Sequence, residues 1–542
     1  MLGASWHAAQ FVLASALVTA LVIGAIVTAV RSAYLRGLSR RDLLLLAGCL
    51  ALALALRLAA KTFVASTSLE SAQALGFMSA HRWGPGLSAI LSFLSLFAHL
   101  DVATIARFNV VISLATIAAL FVLVDTYFED RFAAFAAAAV LALQPIAARY
   151  ANSDSSAVLQ ALCLVAGAAF LARWGRRGGR WLLLQGVGWL AFAANVRYES
   201  VIYTVAGLLV VVGVGGWPRR GATRELLLGG VVGALFLVYP VGRALLDASG
   251  GGFEGSPFGY LGVFPLSPHS PTAVVVVAFV GVLAATLGRF RAAVSLLVAL
   301  VVISVPSNYC VTCCCEFPHR FSQPQLAFWA AFAGYGCSAV RRLLLRVGHR
   351  VRGAAGAPET ETPRGIPPLA AAVVLVLAAA AVIPHRAYLR QMWTYALEYE
   401  FVVAQLRALP DECLIVAPIA DWEARGLRFS AHLSVEAGRK HRWARIDDAA
   451  VLDGKRAPCT VYYRAATCHA YEALLEPQRP DWTGPERPEC RRIGELFDLE
   501  PIATTTLPAR SYTCEAYTVD PVPAGFYRLR PRATGPGEGG RR

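Results

Sequence analysis

The sequence predicts a polytopic α-helical membrane protein, of about 12 spans, carrying a small α/β domain near its carboxy terminus. Three observations predict this. Of 542 residues 56% are hydrophobic and 16% charged, with a mean hydropathy of +0.53, too apolar for a water-soluble chain of this length. Many stretches approach the roughly 20 apolar residues that an α-helix needs to cross a bilayer with its backbone satisfied. Arginines, finally, crowd every second loop between those stretches.

The apolar stretches fall near 10–30, 42–60, 104–124, 132–150, 156–173, 181–196, 199–217, 225–244, 271–288, 291–306, 322–340 and 367–384. No Lys or Arg precedes the first, and Arg31 follows it, which is the wrong order for a cleaved signal peptide. Residues 1–41 therefore read as an extra helix with a basic loop, ahead of a multi-span domain over 42–384.

Short loops rich in Lys and Arg stay on the cytoplasmic side. Arg36, Arg40 and Arg41 follow the first span, Arg173, Arg176, Arg177 and Arg180 the fifth, and Arg219, Arg220 and Arg224 the seventh. Arg289 and Arg291 follow the ninth, and Arg341, Arg342, Arg346, Arg350 and Arg352 precede the last. This pattern predicts a plasma-membrane protein with both termini on the extracytoplasmic side. It also accounts for most of the net charge of +15, so nucleic acid is not an expected partner.

The alternate loops, 61–103, 148–155, 197–198, 245–270, 307–321 and everything after 385, then face outward. Segment 85–98 follows a Gly-Pro break, is too short to span and fits an interfacial helix. Of twelve cysteines, Cys49, Cys163 and Cys337 lie in spans. The rest face an oxidising compartment, where disulfides are the default and the pairing is open. NYCVTCCCEFPHR lacks two C-x2-C pairs, so metal is the lesser reading there. The stretch 353–368 reads as a flexible loop. Over 385–530 the chain turns polar: YALEYEFVVAQLRALP reads as a helix, and CLIVAPI, CTVYYRAA and FYRLRP as strands. The tail 531–542 reads as disordered.

Ionisable residues in or beside spans are functional candidates because the bilayer makes them costly. The outward set comprises Arg57, Glu70, His81, Arg82, Asp154, Arg197, Glu199, Glu316, His319 and Arg320. A carboxylate can take a proton from an attacking hydroxyl, while guanidinium and imidazolium groups bind a phosphate and stabilise it as it leaves. That chemistry suits glycosyl transfer from a phosphate-linked donor. Against it stand plainer roles: Arg57 and Arg197 as snorkelling side chains, Asp154 as a helix cap, Glu70 as a capping-type acid after Ser66 and Ser68. No GxxxxGK[ST], GxGxxG after a soluble strand, HExxH or GxSxG is present, which weighs against ATP-driven transport and zinc proteolysis.

In order along residues 42–340, LALALRLAAKTF, the acid Glu70, HRWGPGLSAILSFLSLF, LQPIAARYANSDSSAVLQALCLVAGAAFLARW, GWLAFAANVRYESVIY and HRFSQPQLAFWAAFAGYG resemble the GT-C superfamily of membrane glycosyltransferases. The resemblance is to the branch of protein O-mannosyltransferases and the lipid A aminoarabinose transferase. It implies a GT-C-like fold and, with inversion, sugar transfer from a polyprenyl-phosphate donor to a lipid, glycan or protein hydroxyl on the outer face. It also implies Glu70 as general base and Asp154 as a second acid that orients the acceptor or helps a divalent cation. Arg57, Arg197 and Arg320, with His81, Arg82 and His319, would hold the donor phosphate; the cofactor is otherwise open and no metal ligands are assigned. One departure is that Leu69 stands beside Glu70 where the family commonly has adjacent acids. A lipid-linked sugar transporter or flippase, and a catalytically silent scaffold, are the alternatives.

Overall fold

The structure is a computed structural model. It describes residues 2–31, 37–62, 85–215, 223–250, 267, 269–308, 323–351, 365–390, 394–417, 434, 437–445, 459–464, 468, 488–507, 510–511, 518–519 and 522–531. These described residues fall into two compact units, a helical one over those up to Arg390 and a second over those from Thr394 onward.

Each of the apolar stretches contains helix in the first unit. In chain order these are α1 (Leu2–Arg31), α2 (Arg40–Ala59), α3 (Pro85–Leu94), α4 (Val102–Phe128), α5 (Arg131–Leu143), α6 (Pro145–Ala151), α7 (Ala157–Arg177) and α8 (Arg180–Val196). After a 3-10 turn at Tyr198–Ile202 come α9 (Tyr203–Gly213), α10 (Thr223–Gly250), α11 (Thr272–Gly288), α12 (Phe290–Asn308), α13 (Gln323–Val351), α14 (Pro368–Ala380) and α15 (Arg386–Arg390). Among the described residues six helical segments are long and apolar enough to cross a bilayer, and α5 with α6, bent by 60° at a break, makes up to a seventh. Pro145 begins α6, and its missing N–H removes the bond that would continue α5. Large apolar side chains such as Ile23, Leu44, Leu227, Leu283 and Leu377 point away from the protein interior. Such a surface is stable only against lipid, and the chain is a multi-pass membrane protein.

The interior is packed with small residues. Ala133 to Ala139 on α5 are fully or almost fully buried, and a Cβ on Gly334 of α13 would collide with the backbone carbonyl of Ala133. Close backbone approach of this kind is how helices associate where lipid removes the hydrophobic drive between them.

The arginine-rich loops and the turn between α4 and α5 share a network of ion pairs at one end of this unit. Asp130 caps α5, accepts from Ser338 and pairs with Arg342 at 2.7 Å. Arg176 and Arg289 both reach Glu129, at 3.0 and 3.4 Å. Buried Asp42, which forms a capping box with Ser39 at the start of α2, lies 3.5 Å from Arg131 and accepts from the Ile366 amide at 2.9 Å. Trp174 donates to Glu225 at 2.8 Å.

In the second unit, α16 (Thr394–Ala408) precedes β1 (Leu414–Ala417), β2 (Arg442–Arg445) and β3 (Thr460–Arg464). Then follow α17 (Pro488–Leu496), β4 (Phe497–Leu507), a two-stranded ribbon of β5 (Arg510–Ser511) and β6 (Thr518–Val519), and β7 (Val522–Pro531). The main sheet runs β2-β1-β3-β7-β4, with β1 parallel to β2 and β3, and β7 antiparallel to β3 and β4. Alternation along β3 sends Val461 and Tyr463 into a core with Val402 and Leu406 of α16, and Tyr462 to the other face with Ile493 of α17. Two disulfides, Cys413–Cys459 and Cys468–Cys490, tie the strands and α17 together. Cys310, Cys313, Cys314, Cys315 and Cys514 lie outside the described residues.

Candidate functional site

At the end of α2 away from the basic loops, the described part of the helical unit gathers buried polar side chains. Arg57 sits in the last turn of α2 and is completely buried. Its Nε donates to Ser113 Oγ on α4 at 2.9 Å, and its Nη1 to the carbonyls of Ala53 and Ala142, at 3.1 and 2.7 Å. Its Nη2 has no hydrogen-bond acceptor among the described residues, nor does any carboxylate there pair with it. A snorkelling arginine would end in water or headgroups; this one ends inside the protein. Leaving a charged donor buried and unmet costs on the order of 1–3 kcal/mol or more, so the position has the character of a site rather than of a helix terminus.

The loop between α6 and α7 is stitched to the same place. Asn152 donates to the Ala60 carbonyl at 2.6 Å and accepts from Thr62 Oγ1 at 3.1 Å. Asn109 of α4 donates to the carbonyls of Ser153 and Ser155, at 2.7 and 3.1 Å. These bonds hold Asp154, 1% exposed, in the middle of the loop. The residue just before α7 is Ser156, whose side chain makes no capping bond, and Asp154 lies two residues before it. Arg197 follows α8 and pairs with Glu199 in the 3-10 turn. That turn is joined to the start of α7 by Gln160 Nε2 donating to Ser200 Oγ at 2.7 Å. Arg197 is 5% exposed, so it does not snorkel either. A Cβ at Gly86 would lie 2.9 Å from the Asn195 carbonyl, which seats α3 against the end of α8.

Sequence reasoning missed three residues here. Arg149 on α6 is completely buried, with its guanidinium 4.7 Å from the centre of the Tyr388 ring. Tyr388 on α15 is stacked with His269, ring centroids 3.8 Å apart at 14°. A main-chain bond from Lys61 to Leu389, 2.9 Å, holds α15 beside the end of α2. Burial, with His385 and Arg149 nearby, pushes the His269 imidazolium down to about 4, so His269 is neutral at physiological pH. Arg149 was legible as an arginine inside an apolar stretch; Tyr388 and His269 carry no signal of their own in the sequence.

Of the sequence-predicted residues, Arg57, Asp154 and Arg197 lie in this polar layer. Glu70, His81, Arg82, Glu316, His319 and Arg320 lie outside the described residues. Among the described residues no three His, Cys, Asp or Glu side chains are grouped as a cation site needs.

Residues 82–242 match the family described as dolichyl-phosphate-mannose-protein mannosyltransferase. No curated protein matches the chain by sequence. The chain also superposes on the crystal structure of ArnT from Cupriavidus metallidurans bound to undecaprenyl phosphate, with a TM-score of 0.54 and 12% identity over 90% of this chain and 97% of that one. The chain has the fold of the GT-C membrane glycosyltransferases. The apo state of the same ArnT gives a TM-score of 0.53 with 14% identity, over 89% of this chain and 97% of that one. The stretch matching the mannosyltransferase family runs from α3 through α9 into α10, and so contains Asn109, Arg149, Asp154 and Arg197 of the polar layer.

Proposed function

We propose that this protein is a glycosyltransferase of inverting type, which moves a sugar from a polyprenyl-phosphate donor to an acceptor hydroxyl at the membrane face away from the basic loops. The observation that carries this reading is the buried Arg57 with an unmet N–H and no carboxylate paired with it among the described residues. A fixed, dehydrated guanidinium suits a phosphate, whose oxygens accept from planar N–H donors. Arg149, held against Tyr388, and Arg197 add positive charge to the same layer.

In the proposed reaction Glu70 removes the proton from the acceptor hydroxyl. The hydroxyl oxygen attacks the anomeric carbon, the bond from that carbon to the phosphate oxygen breaks, and the lipid phosphate departs with the electron pair. Arg57, Arg149, Arg197 and Arg320, with His81, Arg82 and His319, stabilise the negative charge that gathers on that phosphate. Asp154 orients the acceptor. The arginine pattern further supports a plasma-membrane topology of about twelve crossings with both termini extracytoplasmic, and the second unit is then an extracytoplasmic domain.

The test is sugar transfer in membranes supplied with a polyprenyl-phosphate sugar. Glu70→Gln abolishes transfer, by about 10²–10⁴-fold, while the protein still accumulates in the membrane. Unchanged transfer removes Glu70 as the base, and movement of the donor between leaflets without transfer by the wild type favours the flippase reading.

A further inference from the structure

A second feature of the helical unit lies apart from the polar layer and independent of the reading above. A cavity of about 640 Å³ is open between α1, α3, α4, α7 and α8. Its walls are Val18, Val22 and Ile26 on α1, a run from Phe108 to Val122 on α4, and one from Leu159 to Phe170 on α7. At a rise of 1.5 Å per residue, Phe108 to Val122 spans about 21 Å of helix axis, enough for one extended hydrocarbon chain. Among the described residues that line it, the polar groups are the Thr28 hydroxyl, the Arg173 guanidinium and the indole N–H of Trp189. Thr28 accepts from Trp181 at 2.9 Å, which closes α1 onto α8 at that end.

The charged group among these defines which way an occupant must point. Arg173 lies near the C-terminal end of α7, four residues before Arg177, so both project from one helix face. Arg177 and Arg180 are exposed beyond it, at the end where the basic loops meet. A groove with apolar walls and arginines at one mouth is complementary to a lipid with a negative headgroup. We propose that this groove binds one anionic phospholipid of the leaflet on the basic side, its chain between α1 and α4 and its phosphate at Arg173 and Arg177. The extra helix α1, which lies outside the stretch that matches the mannosyltransferase family, would then be one wall of a resident lipid site.

Native mass spectrometry of the full chain, exchanged from vesicles of phosphatidylglycerol or of phosphatidylcholine, tests this. The wild type retains one phosphatidylglycerol in preference to phosphatidylcholine. Arg173→Gln lowers that preference about fivefold, the effect of one headgroup arginine, and Arg173→Lys restores it. Ala118→Phe, which fills the groove from a half-buried position on α4, removes the retained lipid while the melting temperature holds. Equal retention of both lipids, retention unaffected by Ala118→Phe, or displacement of phosphatidylglycerol by equimolar polyprenyl phosphate would each overturn the proposal.

Discussion

The two ends of the helical unit use arginine in opposite ways. At the basic end the guanidinium groups meet carboxylates: Arg342 meets Asp130, Arg131 meets Asp42, and Arg176 and Arg289 share Glu129. At the other end Arg57 is buried against a hydroxyl and two carbonyls, and Arg149 lies over the face of a tyrosine ring. Arg197 there pairs with an acid two residues on, Glu199. Neutralised arginines hold loops and set orientation; an arginine whose partners are neutral keeps its field for an incoming anion. The difference is what the proposed function rests on, without reference to any single motif.

The largest expected effect tests that contrast at Arg57. Arg57→Gln lowers sugar transfer about 10²–10³-fold, and Arg57→Lys recovers little of it because an ammonium lacks the planar fork. Wild-type transfer by Arg57→Gln would remove the contrast. Next, Tyr388→Leu takes away the ring beneath Arg149 and raises the donor KM about tenfold with kcat nearly unchanged, as expected for a positioning residue. A fall in kcat alone would assign Tyr388 to the chemical step instead.

At the basic end the same kind of change reads out in stability. Asp130→Ala loses a helix cap and an ion pair, lowering stability by about 1 kcal/mol while leaving transfer intact, measured as a shift in thermal melting in detergent. The smallest effect is on pH dependence. His269 is held neutral in the fold, down to about pH 4, whereas an unfolded chain takes up a proton near 6.5. The unfolded state therefore binds more protons between these values, so this contribution to stability is complete above about 6.5 and is lost as the pH falls toward 4. His269→Gln should flatten the melting temperature over that window; an unchanged slope places the titrating group elsewhere.

Much of the helical unit was legible because crossing a bilayer leaves a long, one-dimensional mark in composition. The apolar stretches coincide with helices, and Arg176, Arg289 and Arg342 meet acids beside the α4–α5 turn, since both follow from backbone desolvation and charge placement acting on local sequence. The candidate site was legible only in part. Arg57, Asp154 and Arg197 were flagged because charge is conspicuous beside apolar runs, yet their alternative roles could not be separated until burial and partners were known. The depth of Arg57 and Arg197 decided against snorkelling in both cases. Tyr388 and His269 are ordinary residues in the sequence and become notable only because α15 and the turn before α11 bring them to Arg149.

By itself, then, the sequence determined that this chain lives in a membrane, where its helices run and which loops are basic, because each of these depends on residues close together in the chain. Tertiary structure decided how the described cysteines of the second unit pair, which acids the arginines of the basic end meet, and that α1 closes an apolar groove with α4 and α7. Those outcomes depend on contacts between residues tens to hundreds of positions apart. Local propensity and hydropathy carry no record of such contacts, because only packing brings the partners together.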